Sequence, residues 1–261
     1  MIRILRSEFK RARSLRLLVF LFIPVCLPMD TIVDWQWLFE SKRLSVFYFY
    51  FHAVQFGGLF GRHFVSMFCA MPFCLSFVDE YKAGMSSYLY QKSRAPRAYL
   101  FAKHIVSVVT GGCVMALGTA LFFAILSAFV PLVHENDILE SLAYYPLLVL
   151  DEGQSYFICA VYFAFLSGAL YAAVACVVSA FIPNRYITAA SPMVFSFFLA
   201  QCSISENSMF LFYLSRLISM RMRIGSIALS MMCTTFIVLG IVIALGIVFV
   251  WRAKRRIVYD S

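Results

Sequence analysis

Charge is what this sequence has least of. Asp, Glu, Lys and Arg make up 13 percent of the chain, against 62 percent apolar residues and a mean hydropathy of +0.85. An ordinary globular domain carries about 25 percent charged residues, so composition excludes a water-soluble domain and leaves a membrane protein. Short catalytic motifs are missing as well. There is no GxxxxGK[ST], which excludes a P-loop and any ATP hydrolysis through one in this chain; there is no HExxH, and the four histidines (His52, His63, His104, His134) are scattered. The eight cysteines contain no CxxC pair and lie in or beside apolar runs, where they read as small hydrophobes rather than metal ligands or disulfide partners. No cofactor is expected in the chain. Leu15 to Met29 follows a basic segment like a signal peptide, but it runs on toward Val33 without a small-residue cleavage site and reads as a membrane span.

Against this background one polar stretch stands out, Asp79 to Lys103, DEYKAGMSSYLYQKSRAPRAYLFAK. Gly84 supplies a left-handed or flexible corner after the preceding helix. Met85 to Gln91 then gives about two helical turns, with Met85, Tyr88 and Leu89 on one face. Proline disfavours helical geometry in the residue before it yet fits a first helical turn, so Lys92 to Ala95 should interrupt the helix and a new one should start near Pro96. From charge alone the stretch could be a loop held near anionic headgroups.

The order of these residues resembles the permease subunits of ABC exporters of the second type: an acidic residue ending the second span, a glycine, a short helix, a basic residue with Pro and Arg, and an aromatic-leucine step into a lysine. The segment MPF at Met71 to Phe73 belongs to the same pattern. In that family the stretch is a coupling helix seated in a groove of a separate nucleotide-binding subunit. The resemblance implies ATPase docking for Asp79, Glu80, Gly84, Met85, Tyr88, Leu89, Gln91, Arg94, Pro96 and Arg97, with Lys103 leading into the third span. It also implies a partner ATPase carrying ATP and Mg, and a second permease copy or a related permease.

The rest of the chain reads as an all-α polytopic membrane protein. Ile2, Leu5, Phe9 and Ala12 share one helical face while Arg3, Arg6, Lys10 and Arg13 share another, predicting a basic amphipathic helix on the inner leaflet over 1–14. Six spans are expected at about 15–33, 59–78, 99–130, 154–182, 187–202 and 224–251. The aromatic run VFYFYFHAVQF at 46–56 opens an outer interfacial or re-entrant segment at 46–58 ahead of span two, its aromatics facing lipid or, alternatively, suited to a hydrophobic substrate, with Tyr48, Tyr50 and His52 at headgroup level. Arg62 and His63 lie near the outer end of span two, where Arg62 can snorkel or where both could line a substrate pathway. Small residues at Gly111, Gly112 and Gly118, and at Gly168, Ala169, Ala172, Ala173 and Ala175, predict close helix packing. Residues 203–223 mix Glu206 and three arginines with Phe and Met, as in a hairpin dipping into the outer leaflet.

This layout places 16 of the 22 Lys and Arg residues inside with only Glu8, Asp79, Glu80 and Asp260, so the positive-inside rule puts both termini in the cytoplasm of a multi-pass cell-membrane protein. The basic charge is then topological, and nucleic-acid binding is not needed to explain it. The expected function is export of a hydrophobic or amphipathic substrate (peptide, lipid or drug), driven by a separate ATP-binding subunit. The alternatives are a membrane scaffold or sensor subunit, and an intramembrane enzyme, which would need acid pairs or a nucleophile-base set at bundle depth.

Overall fold

The structure is a computed structural model that describes residues 2–12, 15–26, 45–55, 63–92, 96–133, 143–202 and 209–259. It is helical throughout, with no strand among the described residues. The principal helices are α1 (Ile2–Ala12), α2 (Val46–Gln55), α3 (Cys74–Lys82), α4 (Met85–Lys92), α5 (Pro96–Ser127), α6 (Gln154–Phe181), α7 (Arg185–Cys202), α8 (Met209–Ile218) and α9 (Ile227–Tyr259). Among the described residues three helices, α5, α6 and α9, are long and apolar enough to cross a bilayer. The protein is thus an all-α membrane protein.

Helix α6 is the centre, packed against α5, α7 and α9. Its seam with α5 is built from absent side chains. A Cβ on Gly111 would run into the Cβ of Ala172 and lie 2.9 Å from the Cys69 carbonyl oxygen, and a Cβ on Gly168 would lie 2.7 Å from the Gly111 carbonyl oxygen. Ala172, Ala173 and Ala175 are fully buried beside them. Backbones that approach this closely gain dispersion contacts that bulkier pairs cannot make in lipid, where no hydrophobic driving force holds helices together.

Within the stretch expected as span two the helix is interrupted: a single turn at Val65–Met67 gives way to turns over Phe68–Phe73 before α3 begins. Pro72 is the cause, since it has no N–H to return to the turn before it; residues 59–62 of the expected span lie outside the described residues. The aromatic run is not a lipid-facing belt. Val46, Phe47, Phe49, Tyr50 and Ala53 are buried, with Phe47 edge-on to Tyr156 at 5.2 Å and Tyr50 edge-on to Phe123 at 4.9 Å. The first N–H groups of α2 donate to the carbonyls of Pro131 and Leu132, each at 3.0 Å. Ten residues rise only about 15 Å, too short to span, and the helix lies against α5 and α6 with Phe47 and Tyr50 packed on their rings.

In α7, Pro192 removes the bond that would reach the Thr188 carbonyl, and the Ser191 hydroxyl donates to that oxygen instead at 2.9 Å. Of the expected hairpin at 203–223, residues 203–208 lie outside the described residues; the remainder is α8 and a turn in which Met220 has a left-handed φ of 57°.

Replacing Gly168 by Leu should force α5 and α6 apart. We expect the melting midpoint in mild detergent to fall by an amount matching about 1–3 kcal/mol of overpacking, whereas the same change at Gly240, where a Cβ meets nothing within 4 Å, should leave it unchanged.

Candidate functional site

The polar stretch folds as a corner, a short helix and a re-entry into a long helix. Helix α3 ends at Lys82, and Gly84 takes the left-handed φ of 68° that a β-carbon would strain, its N–H donating to the Tyr81 carbonyl at 3.0 Å. Helix α4 follows, and α5 starts at Pro96, the first-turn position proline favours. Helix α4 packs on α3, α5 and α9. Its inward contacts come from Ser86, fully buried, and Tyr90, packed against the buried cluster that includes Tyr99, Leu100, Ala253 and Ile257. Met85 and Tyr88 point outward, 48 and 56 percent exposed. Arg97 is exposed at the start of α5. The side chains of Leu89 and Gln91, and the whole of Arg94, lie outside the described residues.

Beneath α4 the two acids that end α3 diverge. Asp79 faces outward and pairs with Arg185 at the start of α7, and this contact raises the Arg185 guanidinium above its ordinary value. Glu80 turns inward and is 4 percent exposed. Its Oε2 accepts from the Tyr99 hydroxyl at 2.5 Å and from Lys103 Nζ at 2.6 Å, and its Oε1 lies 2.7 Å from Arg11 Nη2. Lys103, 1 percent exposed, also lies 3.8 Å from Glu8 Oε2, and Glu8 Oε1 accepts from Arg11 at 3.3 Å. The Lys103 ammonium further faces the rings of Phe73 and Tyr99 at 5.4 and 5.3 Å. Two acids and two bases from α1, α3 and α5 therefore form one balanced cluster. Burial works to raise the Glu80 carboxyl, but the charge and hydrogen bond of Lys103, the Tyr99 hydroxyl and the charge of Arg11 outweigh it and hold the group below the usual carboxylate value. Burial likewise works against the Arg11 cation, yet Glu80 and Glu8 raise it above its ordinary value.

Glu80 thus stands in the interior, where it ties α3 to α1 and α5. Glu8 was outside any expectation for the site. Its only sequence signal was being the one acid in a basic amphipathic helix. That helix does not merely rest on a membrane surface: Leu5 and Ala12 pack on Phe73 and Val106. The same end of the bundle is tied by the last turns of α9, where Arg256 donates to the Ala180 and Phe181 carbonyls at the C-terminus of α6 and lies over the Tyr81 ring at 5.2 Å.

The proposed pathway residue His63 is buried away from this end. Its Nδ1 lies 2.7 Å from Ser196 Oγ on α7, and its ring meets Phe197 edge-on at 5.5 Å; Arg62 lies outside the described residues. Among the described residues, no group of three or more His, Cys, Asp or Glu is placed to hold a metal ion. Comparisons with protein-family models, curated proteins and solved structures found no match to this chain.

Removing one partner from the cluster strands a buried charge, so Lys103→Met should destabilise the protein by about 3–5 kcal/mol. In Glu80→Leu/Lys103→Met, where Glu8 and Arg11 still pair, the loss should be smaller than in either single variant, and denaturant melts of the four proteins give the coupling. Because the folded Glu80 carboxyl lies below its unfolded value of about 4.3, its contribution is complete above that pH and is lost as pH falls through the lower folded value. The detergent melting midpoint should therefore hold from about pH 7 to 5 and drop below about pH 4. Glu80→Gln should be less stable at neutral pH and show a flatter acid limb.

Proposed function

We propose that this chain is the permease subunit of an ABC exporter of the second type, with α4 as the coupling helix received by a separate ATPase. The observation that carries this reading is the build of α4. It is a short helix closed by Gly84 and Pro96, seated on α3, α5 and α9 through Ser86 and Tyr90, and presenting Met85 and Tyr88 outward. A helix held this firmly would carry a push from a docked partner into α3 and α5 as rigid-body motion. The Glu80–Lys103 cluster would keep it from shearing loose.

In this reading the charged end of the bundle faces the cytoplasm with both termini, the chain crosses the membrane six times, and two such permeases, identical or related, form the export path between them. ATP and Mg belong to the partner ATPase. The substrate class that suits the apolar spans is a hydrophobic or amphipathic peptide, lipid or drug.

Co-purification in mild detergent with a candidate ATPase tests the proposal. Wild type should retain the ATPase, and Met85→Glu/Tyr88→Glu should lose it while keeping the wild-type melting midpoint, because both changes fall on exposed positions. Retention by that variant would remove α4 as the docking element. A wild-type chain that holds no ATPase would favour a scaffold or sensor role.

A further inference from the structure

A cavity of about 100 Å³ lies among α2, α5, α6, α7 and the end of α8. Thr119 on its wall is 16 residues beyond Lys103 on α5, so it stands about 24 Å along the helix from the ion cluster. None of the described residues that line it carries a charge, and Ile23, Val54, Phe163 and Leu199 supply apolar surface. An ion entering would leave water with no counter-charge to meet, so the occupant is neutral.

Beside the hydroxyls of Tyr50, Thr119, Tyr171 and Ser215, the wall carries three serines with acceptor capacity left over. A serine hydroxyl has one proton and two lone pairs. Ser167 spends its proton on the Ala164 carbonyl at 2.8 Å, and Ser219 spends its proton on the Ser215 carbonyl at 2.8 Å. Both line the cavity, and what they have left to offer are acceptor lone pairs. Ser196, also on the wall, shares one proton with His63 at 2.7 Å and likewise keeps a lone pair whichever way that proton lies. This pair does not read as a nucleophile and base. Ser196 sits inside α7, where the helix engages the backbone N–H groups around it, so they are not free to stabilise an oxyanion.

We propose that the cavity is a binding site for a small neutral molecule with a hydroxyl or N–H donor on a single ring or short chain, the donor meeting the oxygens of Ser167, Ser196 and Ser219. It explains why hydroxyl groups and a buried histidine gather in a part of the bundle that holds no ion pair among its lining residues. Binding needs neither a second subunit nor ATP, so it stands or falls separately from the transport reading.

The test uses the full chain in mild detergent, with phenol as probe and anisole, the same ring with its O–H replaced by methoxy, as the comparison. Saturation-transfer NMR titrations, corrected with empty micelles, should show saturable phenol binding about tenfold tighter than anisole, the ratio expected for one hydrogen bond made in a dry site. In Ser167→Ala/Ser219→Ala the two probes should bind within about twofold of one another, with the melting midpoint retained. Equal binding of both probes to wild type, or phenol uptake that does not saturate beyond the micelle control, would overturn the proposal and leave a cavity that holds water only. Should the double variant fail to fold, the wild-type comparison of phenol with anisole decides the matter alone.

Discussion

Two opposite charges, Glu80 and Lys103, sit almost completely out of water and can do so only together. Each would cost several kcal/mol if buried alone, and that cost ties together three helices that are distant in sequence. Helix α3 must end where Glu80 meets Lys103, α5 must enter the bundle at the depth that puts Tyr99 and Lys103 beside it, and α1 must lie across both so that Arg11 and Glu8 complete the cluster. The position of α4 follows. Its two ends hang from α3 and α5, so the pair beneath them sets the angle at which Met85 and Tyr88 are presented.

The remainder of the bundle divides by its chemistry. At the end bearing the cluster, cations close helix termini and pair across elements: Arg185 with Asp79, Arg256 on the last carbonyls of α6. Away from it the contacts are aromatic edges, hydroxyls turned back on their own helices, side-chain hydrogen bonds between elements such as His63 with Ser196 and Tyr144 with Ser230, and a cavity with no charged lining residue among those described. Between the two runs the seam of Gly111, Gly168 and Ala172, which is stiff because backbone meets backbone. Such a seam transmits displacement along α5 and α6 rather than absorbing it.

Local rules made part of this legible in the sequence. The left-handed turn at Gly84 and the start of α5 at Pro96 follow from the backbone chemistry of those two residues. The existence of α5, α6 and α9 follows from apolar length, although α9 continues past the expected end at 251 through its basic residues to Tyr259, and the close packing of α5 on α6 follows from small-residue spacing. What was not legible depended on partners far away in the chain. Nothing local tells Glu80 from Asp79, yet one is buried and the other faces Arg185. Ser86 and Tyr90 are the inward face of α4, but hydropathy ranks Met85 and Leu89 above them. The aromatics of α2 look the same in sequence whether they face lipid or the Phe123 and Tyr156 rings they meet. His63 and Ser196 are separated by 133 positions, and only the fold brings them together.

The most direct test of the central claim, that the buried ion cluster holds α4 to the bundle, is amide hydrogen exchange on wild type and Lys103→Met in detergent. The account predicts faster exchange in the variant for α1 and for the segment from α3 through α4, with α6 exchanging as in wild type. Unchanged exchange in α4, or a uniform acceleration that includes α6, would contradict it, since α4 would then be positioned by contacts that do not pass through Glu80 and Lys103.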